Sequence, residues 1–122
     1  MKTALVTGAA RGIGLATTQL FLKEGWQVAM VDRDAAELET AAAPLPNVLS
    51  IAADVSDPAA VDSMIAKAAA FGGIDALVNN AGVADFGPIE ETSFARWRTV
   101  METNLDGVFL TCLLYTSDAA DE

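Results

Sequence analysis

The stretch TGAARGIG (Thr7 to Gly14) places three glycines, Gly8, Gly12 and Gly14, where a β-rich run gives way to a helical pattern. Glycine lets a backbone turn tightly and come close to another group. A helix starting there presents unpaired N–H groups and the positive end of its dipole, which together suit a phosphate. Strand, loop and helix occur in the order this chemistry requires. The segment therefore predicts a pyrophosphate-binding loop rather than a structural glycine turn, with Arg11 and Ile13 inside it. No Gly-Lys-Ser/Thr follows, which excludes a P-loop.

Two aspartates end β-rich runs further on. Asp32 closes the second run, about twenty residues beyond the loop, where a carboxylate can accept from both hydroxyls of an adenosine ribose and repel a 2′-phosphate. Arg11 and Arg33 act in the opposite sense, because a guanidinium pairs with such a phosphate. Asp32 occupies the ribose position itself, so NAD is expected ahead of NADP, and NADP stays open. Asp34 reads better as a helix cap. Asp54, at the end of the third run, suits the start of a turn before Ser56.

With no histidine and one cysteine, the chain has no Ser-His-Asp or Cys-His catalysis, no common zinc site and no intrachain disulfide. Chemistry must come from a bound cofactor, a hydroxyl or a carboxylate. The acids are spread without calcium-loop spacing, which favours a solvated acidic surface over a carboxylate metal site. Seven Lys and Arg stand against seventeen Asp and Glu, a net charge of -10, and the basic residues are scattered singly. That is not the footprint of a nucleic-acid binder. No apolar run approaches the ~18 residues of a membrane span, and MKTALVTGAA turns polar and glycine-rich too early for a signal peptide. A single cytoplasmic domain with no membrane partner is the expectation.

The elements that must position these residues alternate along the chain. TALVT (Thr3 to Thr7), QVAMVD (Gln27 to Asp32), NVLSIAAD (Asn47 to Asp54) and IDALVNN (Ile74 to Asn80) are near-continuous apolar strands of the kind buried on both faces of a parallel sheet. Between them, Ile13, Ala16, Leu20 and Phe21 recur at helical spacing. A second helix opens on Asp34 with Glu37 three residues on, and stops at Pro44 and Pro46. A third is capped by Ser56 or Asp57, with Pro58 in its first turn and apolar positions at Val61, Met64, Ile65 and Ala68. Further helices are expected near Ser93 and after Asn104. The order β-α-β-α-β-α-β predicts an α/β fold, a doubly wound Rossmann-type parallel sheet.

TGAARGIG, Asp32, Asp54-Val55, NNAG (Asn79 to Gly82) and TNLDGVF (Thr103 to Phe109) together resemble the N-terminal half of a short-chain dehydrogenase/reductase, over residues 1–111 without a gap. The resemblance implies that Asp54 binds the adenine amino group, that Val55 lies against the ring, and that Asn80, Ala81 and Gly82 pass beside the cofactor ribose. One of the two asparagines alternatively ties neighbouring strands together. Asn104 matches the family's catalytic asparagine, implied to hold a water in a proton relay, and it also suits a helix cap. The family transfers hydride between nicotinamide and an alcohol or carbonyl small molecule, usually as a tetramer or dimer.

That chemistry needs a serine and Tyr-x-x-x-Lys, the lysine helping a phenol of ordinary pKa near 10 to ionise. The only tyrosine, Tyr115, is followed four residues on by Ala119, and the last lysine is Lys67. Tyr115 is therefore not the family's proton donor. Residues 112–122, CLLYTSDAADE, resemble translated sequencing-adapter DNA and are expected to be a non-native tail; a natural acidic C-terminus is the alternative. The chain as written is expected to be a truncated domain without turnover. A non-catalytic dinucleotide sensor and an acidic interaction protein are the other readings, the second leaving the ordered motifs unexplained.

Overall fold

The computed structural model describes residues 1–83 and 87–113. Four parallel strands, β1 (Thr3–Thr7), β2 (Gln27–Asp32), β3 (Val48–Ala52) and β4 (Ala76–Val78), form one sheet in the order β3-β2-β1-β4. Helices α1 (Gly12–Lys23), α2 (Ala35–Ala42) and α3 (Pro58–Gly72) connect them in turn, and α4 (Phe94–Met101) follows a short 3-10 turn. Among the described residues no helix is long and apolar enough to cross a membrane.

Strand side chains alternate faces, so neighbouring residues feed different cores. Leu5, Ala29, Val31 and Ile51 pack with Val61, Met64, Ile65 and Ala68 of α3. Val6, Val28 and Met30 point the other way and pack with Leu38 of α2, with Leu15, Phe21 and Leu22 of α1 beside them. Helices on both faces make the sheet doubly wound, as the sequence predicts. Leu5, Met30, Leu38 and Met64 are fully buried, each stabilising the fold by roughly 1.5–3 kcal/mol.

The central strands β1 and β2 have the predicted bounds and the two edge strands are shorter than expected. At β3, Asn47 takes a left-handed φ of 56°, which no strand accommodates. At β4, Asp75 accepts from Thr3 N through its side chain at 2.8 Å, and the ladder starts only at Ala76. Asn80 and Ala81 donate to the Thr7 hydroxyl rather than to a strand, which ends β4 early.

The helices correct two expectations. On α1, Gly14 and Thr18 face the sheet, and Ile13 and Leu20 are 76% and 59% exposed. Small residues are needed there because α1 lies against the glycine loop. Asn104 does not begin a new helix. It lies inside a helical run that starts at Phe94, passes through a π-helical turn at Glu102–Asp106 and continues through residues 107–113. No glycine or proline interrupts Phe94 to Asp106, and the Gly107 N–H closes the widened turn on Glu102 O. Arg98 spans that turn, 3.8 Å from Glu102 and 3.0 Å from Asp106.

Candidate dinucleotide site

The glycine loop leaves β1 with Gly8 at φ 65° and enters α1 with Gly12 at φ 55°, both left-handed conformations. Gly14 is required for a different reason: a Cβ there would collide with Gly8 O and come within 2.7 Å of Asn80 Nδ2. The first turn of α1 thus lies directly on the loop. Asp34, Asp57 and Ser93 cap α2, α3 and α4 with their side chains, whereas no side-chain hydrogen bond caps α1 among the described residues, and its first turn holds no acid. The N–H groups at the start of α1 are left for an anion.

Asp32 stands at the end of β2 with its carboxylate fixed from two sides. Oδ2 accepts from Ala10 N in the glycine loop at 3.2 Å, and Oδ1 accepts from Asp34 N at 3.0 Å. The side chain that faces the ribose position in the sequence reading is thereby tied to the phosphate loop. The capping box is half formed: Glu37 N donates to Asp34 Oδ1 at 3.0 Å, and the Glu37 side chain instead pairs with Arg11 at 3.4 Å.

Asp54 lines the cleft and also shapes the turn before Ser56. Its Oδ1 accepts from the Ser56 hydroxyl at 2.7 Å and from Ser56 N at 3.0 Å. These two bonds hold its carboxyl below the ordinary value of 3.8, the Arg33 charge adds to them, and partial burial opposes them. Val55 is buried under the long helix, since a Cβ on Gly107 would approach Val55 Cγ2 to 2.7 Å.

The fourth strand delivers the remaining residues. Asn80 Nδ2 donates to Gly8 O at 3.2 Å, so Asn80 is the asparagine that ties β4 to the loop; Asn79 Nδ2 donates to Cys112 Sγ at 3.3 Å. Asn104 reaches Val83, accepting from its N–H at 2.9 Å and donating to its carbonyl at 2.8 Å. Val83 directly follows Gly82, whose Cα hydrogens face Asn104 closely enough that a Cβ would lie 3.4 Å from Oδ1.

Every predicted site residue except Gly14 and Asn104 lines one cleft of about 570 Å³ at the C-terminal ends of the strands. That volume lies within the range of small-molecule sites. Gly14 acts beneath the cleft by its closeness to Gly8, and Asn104 acts behind it through Val83. Val31, Ala53, Val83 and Thr103 also line the cleft and were not anticipated. Nor was Thr7, whose buried hydroxyl accepts from Asn80 N and Ala81 N, each at 3.0 Å. Thr7 opens the TGAARGIG stretch, and its role becomes visible only when β4 is placed beside β1.

Comparison with known proteins supplies the assignment. The family model described as short chain dehydrogenase matches residues 2–119. The chain belongs to the short chain dehydrogenase family. It is 45% identical over 116 residues to the D-threitol dehydrogenase of Mycolicibacterium smegmatis, covering 91% of this chain and 45% of that protein. With the galactitol 2-dehydrogenase of Agrobacterium fabrum it shares 44% over 108 residues, 87% of this chain and 42% of the relative. Among solved structures, a 3-ketoacyl-(acyl-carrier-protein) reductase from Brucella melitensis complexed with NADH superposes with a TM-score of 0.88 at 37% identity, over 91% of this chain and 47% of the other. A short-chain dehydrogenase/reductase of Brucella melitensis, described as glucose/ribitol dehydrogenase, gives a TM-score of 0.91 at 37% identity, over 95% and 51%. The chain therefore spans about half the length of the short chain dehydrogenases it matches.

The residues fit a nicotinamide dinucleotide. The uncapped start of α1 suits the pyrophosphate, the fixed carboxylate of Asp32 suits the ribose hydroxyls, and glycine at position 8 leaves the backbone open where a Cβ would crowd Ala81.

Proposed function

We propose that this chain is the cofactor-binding half of an NAD(P)-dependent short chain dehydrogenase whose complete form moves hydride between a nicotinamide and an alcohol or carbonyl small molecule. The observation that carries this reading is the convergence of the glycine loop, the uncapped N-terminus of α1, Asp32 and Asn80–Gly82 on one cleft. The loop and α1 hold the pyrophosphate, Asp32 the adenosine ribose with NAD ahead of NADP, Asp54 and Val55 the adenine, and Asn80 to Gly82 the second ribose. Asn104 is the one member of the family's catalytic set in the chain. The names of the threitol and galactitol dehydrogenases support a small alcohol as substrate. The complete protein is a cytoplasmic homo-tetramer or dimer in this reading.

The chain as written binds dinucleotide without turning it over, because it carries no Tyr-x-x-x-Lys. Residues 112–122 are non-native in this reading. Titration with NADH, followed by nucleotide fluorescence, tests the site: saturable binding supports it, and a flat titration removes it. Steady NADH production from any alcohol by this chain would remove the claim of inactivity. The codons for Cys112 to Glu122 test the tail, since a natural acidic segment would not match adapter DNA, and the extended gene is expected to contain a serine and Tyr-x-x-x-Lys.

A further inference from the structure

Glu37 occupies the third position of α2, where a glutamate ordinarily turns back to bond the N–H of the capping residue. Here that N–H, on Asp34, is already taken by Asp32 Oδ1 at 3.0 Å. The Glu37 carboxylate is released from the cap and lies 3.4 Å from Arg11 Nε instead. Arg11 is the residue before α1 and lines the cleft together with Asp32 and Arg33. A guanidinium at that rim is the group that would meet a phosphate on the adenosine ribose. The second cation, Arg33, lies near enough to Asp54 for its charge to favour that carboxylate. Each guanidinium of the rim thus has an acid beside it, in addition to the fixed charge of Asp32.

We propose that Glu37 is a specificity-determining residue of the cleft, holding Arg11 in an ion pair so that its guanidinium does not serve a ribose 2′-phosphate. The inference rests on the dinucleotide reading of the cleft. Asp32 acts twice in it: directly, by repelling the phosphate, and indirectly, by occupying Asp34 N and so releasing Glu37 toward Arg11. The pair is solvent-exposed, with side-chain exposures of 69% and 36%, so its influence is modest and screened by salt.

The test uses the chain itself, with NADH and NADPH titrated separately into wild type, Glu37→Gln, Arg11→Met and the double variant. Glutamine keeps the size and helix preference of glutamate, and thermal melts of all four proteins check that the fold is retained. Glu37→Gln is expected to tighten NADPH by about three- to tenfold and change NADH by less than about twofold. The NADPH gain is expected to vanish in the Arg11→Met background and to shrink in high salt. Equal shifts for both nucleotides, or a gain that persists without Arg11, would overturn the proposal while leaving the dinucleotide site intact. Failure of wild type to bind either nucleotide would instead remove the site, and this inference with it.

Discussion

Asn104 holds both polar groups of the Val83 backbone, its Oδ1 accepting from the N–H at 2.9 Å and its Nδ2 donating to the carbonyl at 2.8 Å. A side-chain amide thus does for the segment after β4 what a neighbouring strand would do. The π-helical turn that contains Asn104 places it there, and Gly82 leaves room for it. The clamp joins the long helix to the wall of the cleft that the NNAG stretch forms.

Breaking the clamp should loosen that wall without unfolding the sheet. Asn104→Asp keeps the acceptor and loses the donor, and Asn104→Ala loses both. Amide exchange at Val83 should quicken in the order wild type, Asp, Ala, with a total stability loss of about 1–2 kcal/mol for Ala in urea unfolding. Unchanged exchange at Val83 in the Ala variant would show that the clamp carries no free energy.

Two glycines of the loop should respond differently to alanine. Gly14→Ala drives a Cβ into Gly8 O, so it is expected to cost about 3 kcal/mol or more and to abolish NADH binding. Gly12→Ala meets nothing within 4 Å among the described residues and is strained there by its positive φ, for about 1–2 kcal/mol. Melting temperatures of the two variants rank the effects, and a Gly12 variant as damaged as the Gly14 variant would refute the geometry.

Thr7 is expected to matter through its hydroxyl. Thr7→Val keeps shape and volume but leaves the Asn80 and Ala81 amides without their acceptor, a loss of about 2 kcal/mol in urea unfolding. Thr7→Ser retains the oxygen and should recover most of it. A loss for serine with none for valine would point to the methyl group instead.

Asp54 gives a pH prediction with a defined sign. Its carboxyl is held below 3.8 by Ser56 and Arg33, so its contribution to stability is full above that value and is lost as the pH falls through the lowered one. The difference in melting temperature between wild type and Asp54→Asn should be flat from neutrality to about pH 5 and should shrink below 3.8. A carboxyl resonance of Asp54 titrating at or above 3.8 would contradict the Ser56 bonds.

Much of this was legible in the sequence because it is local. Runs of apolar residues separated by helical spacing dictated β1 and β2 to the residue, and α3 with its buried Val61, Met64, Ile65 and Ala68. Glycine spacing marked the loop, Asp34 capped its helix as read, and the prolines after α2 stopped it. The strand-end acids and Asn80 to Gly82 fell at the cleft because a parallel sheet with helical crossovers brings all its strand C-termini to one edge.

What the tertiary structure decided depends on partners distant in the chain. The order β3-β2-β1-β4 puts Thr7 beside Asn80 and makes its hydroxyl a junction. The close seat of α1 on the loop turned Gly14 and Thr18 inward in place of the more apolar Ile13 and Leu20, since steric room outranked hydrophobicity there. A helical pattern cannot report a π turn, so Asn104 read as a helix start until its contact with Val83 was visible. Arg11 precedes α1 and Glu37 lies on α2, and only the bond between Asp32 and Asp34 N explains why they meet. Sequence spacing specifies which backbone segments form; which side chain answers which is set by the packing of segments that are far apart along the chain.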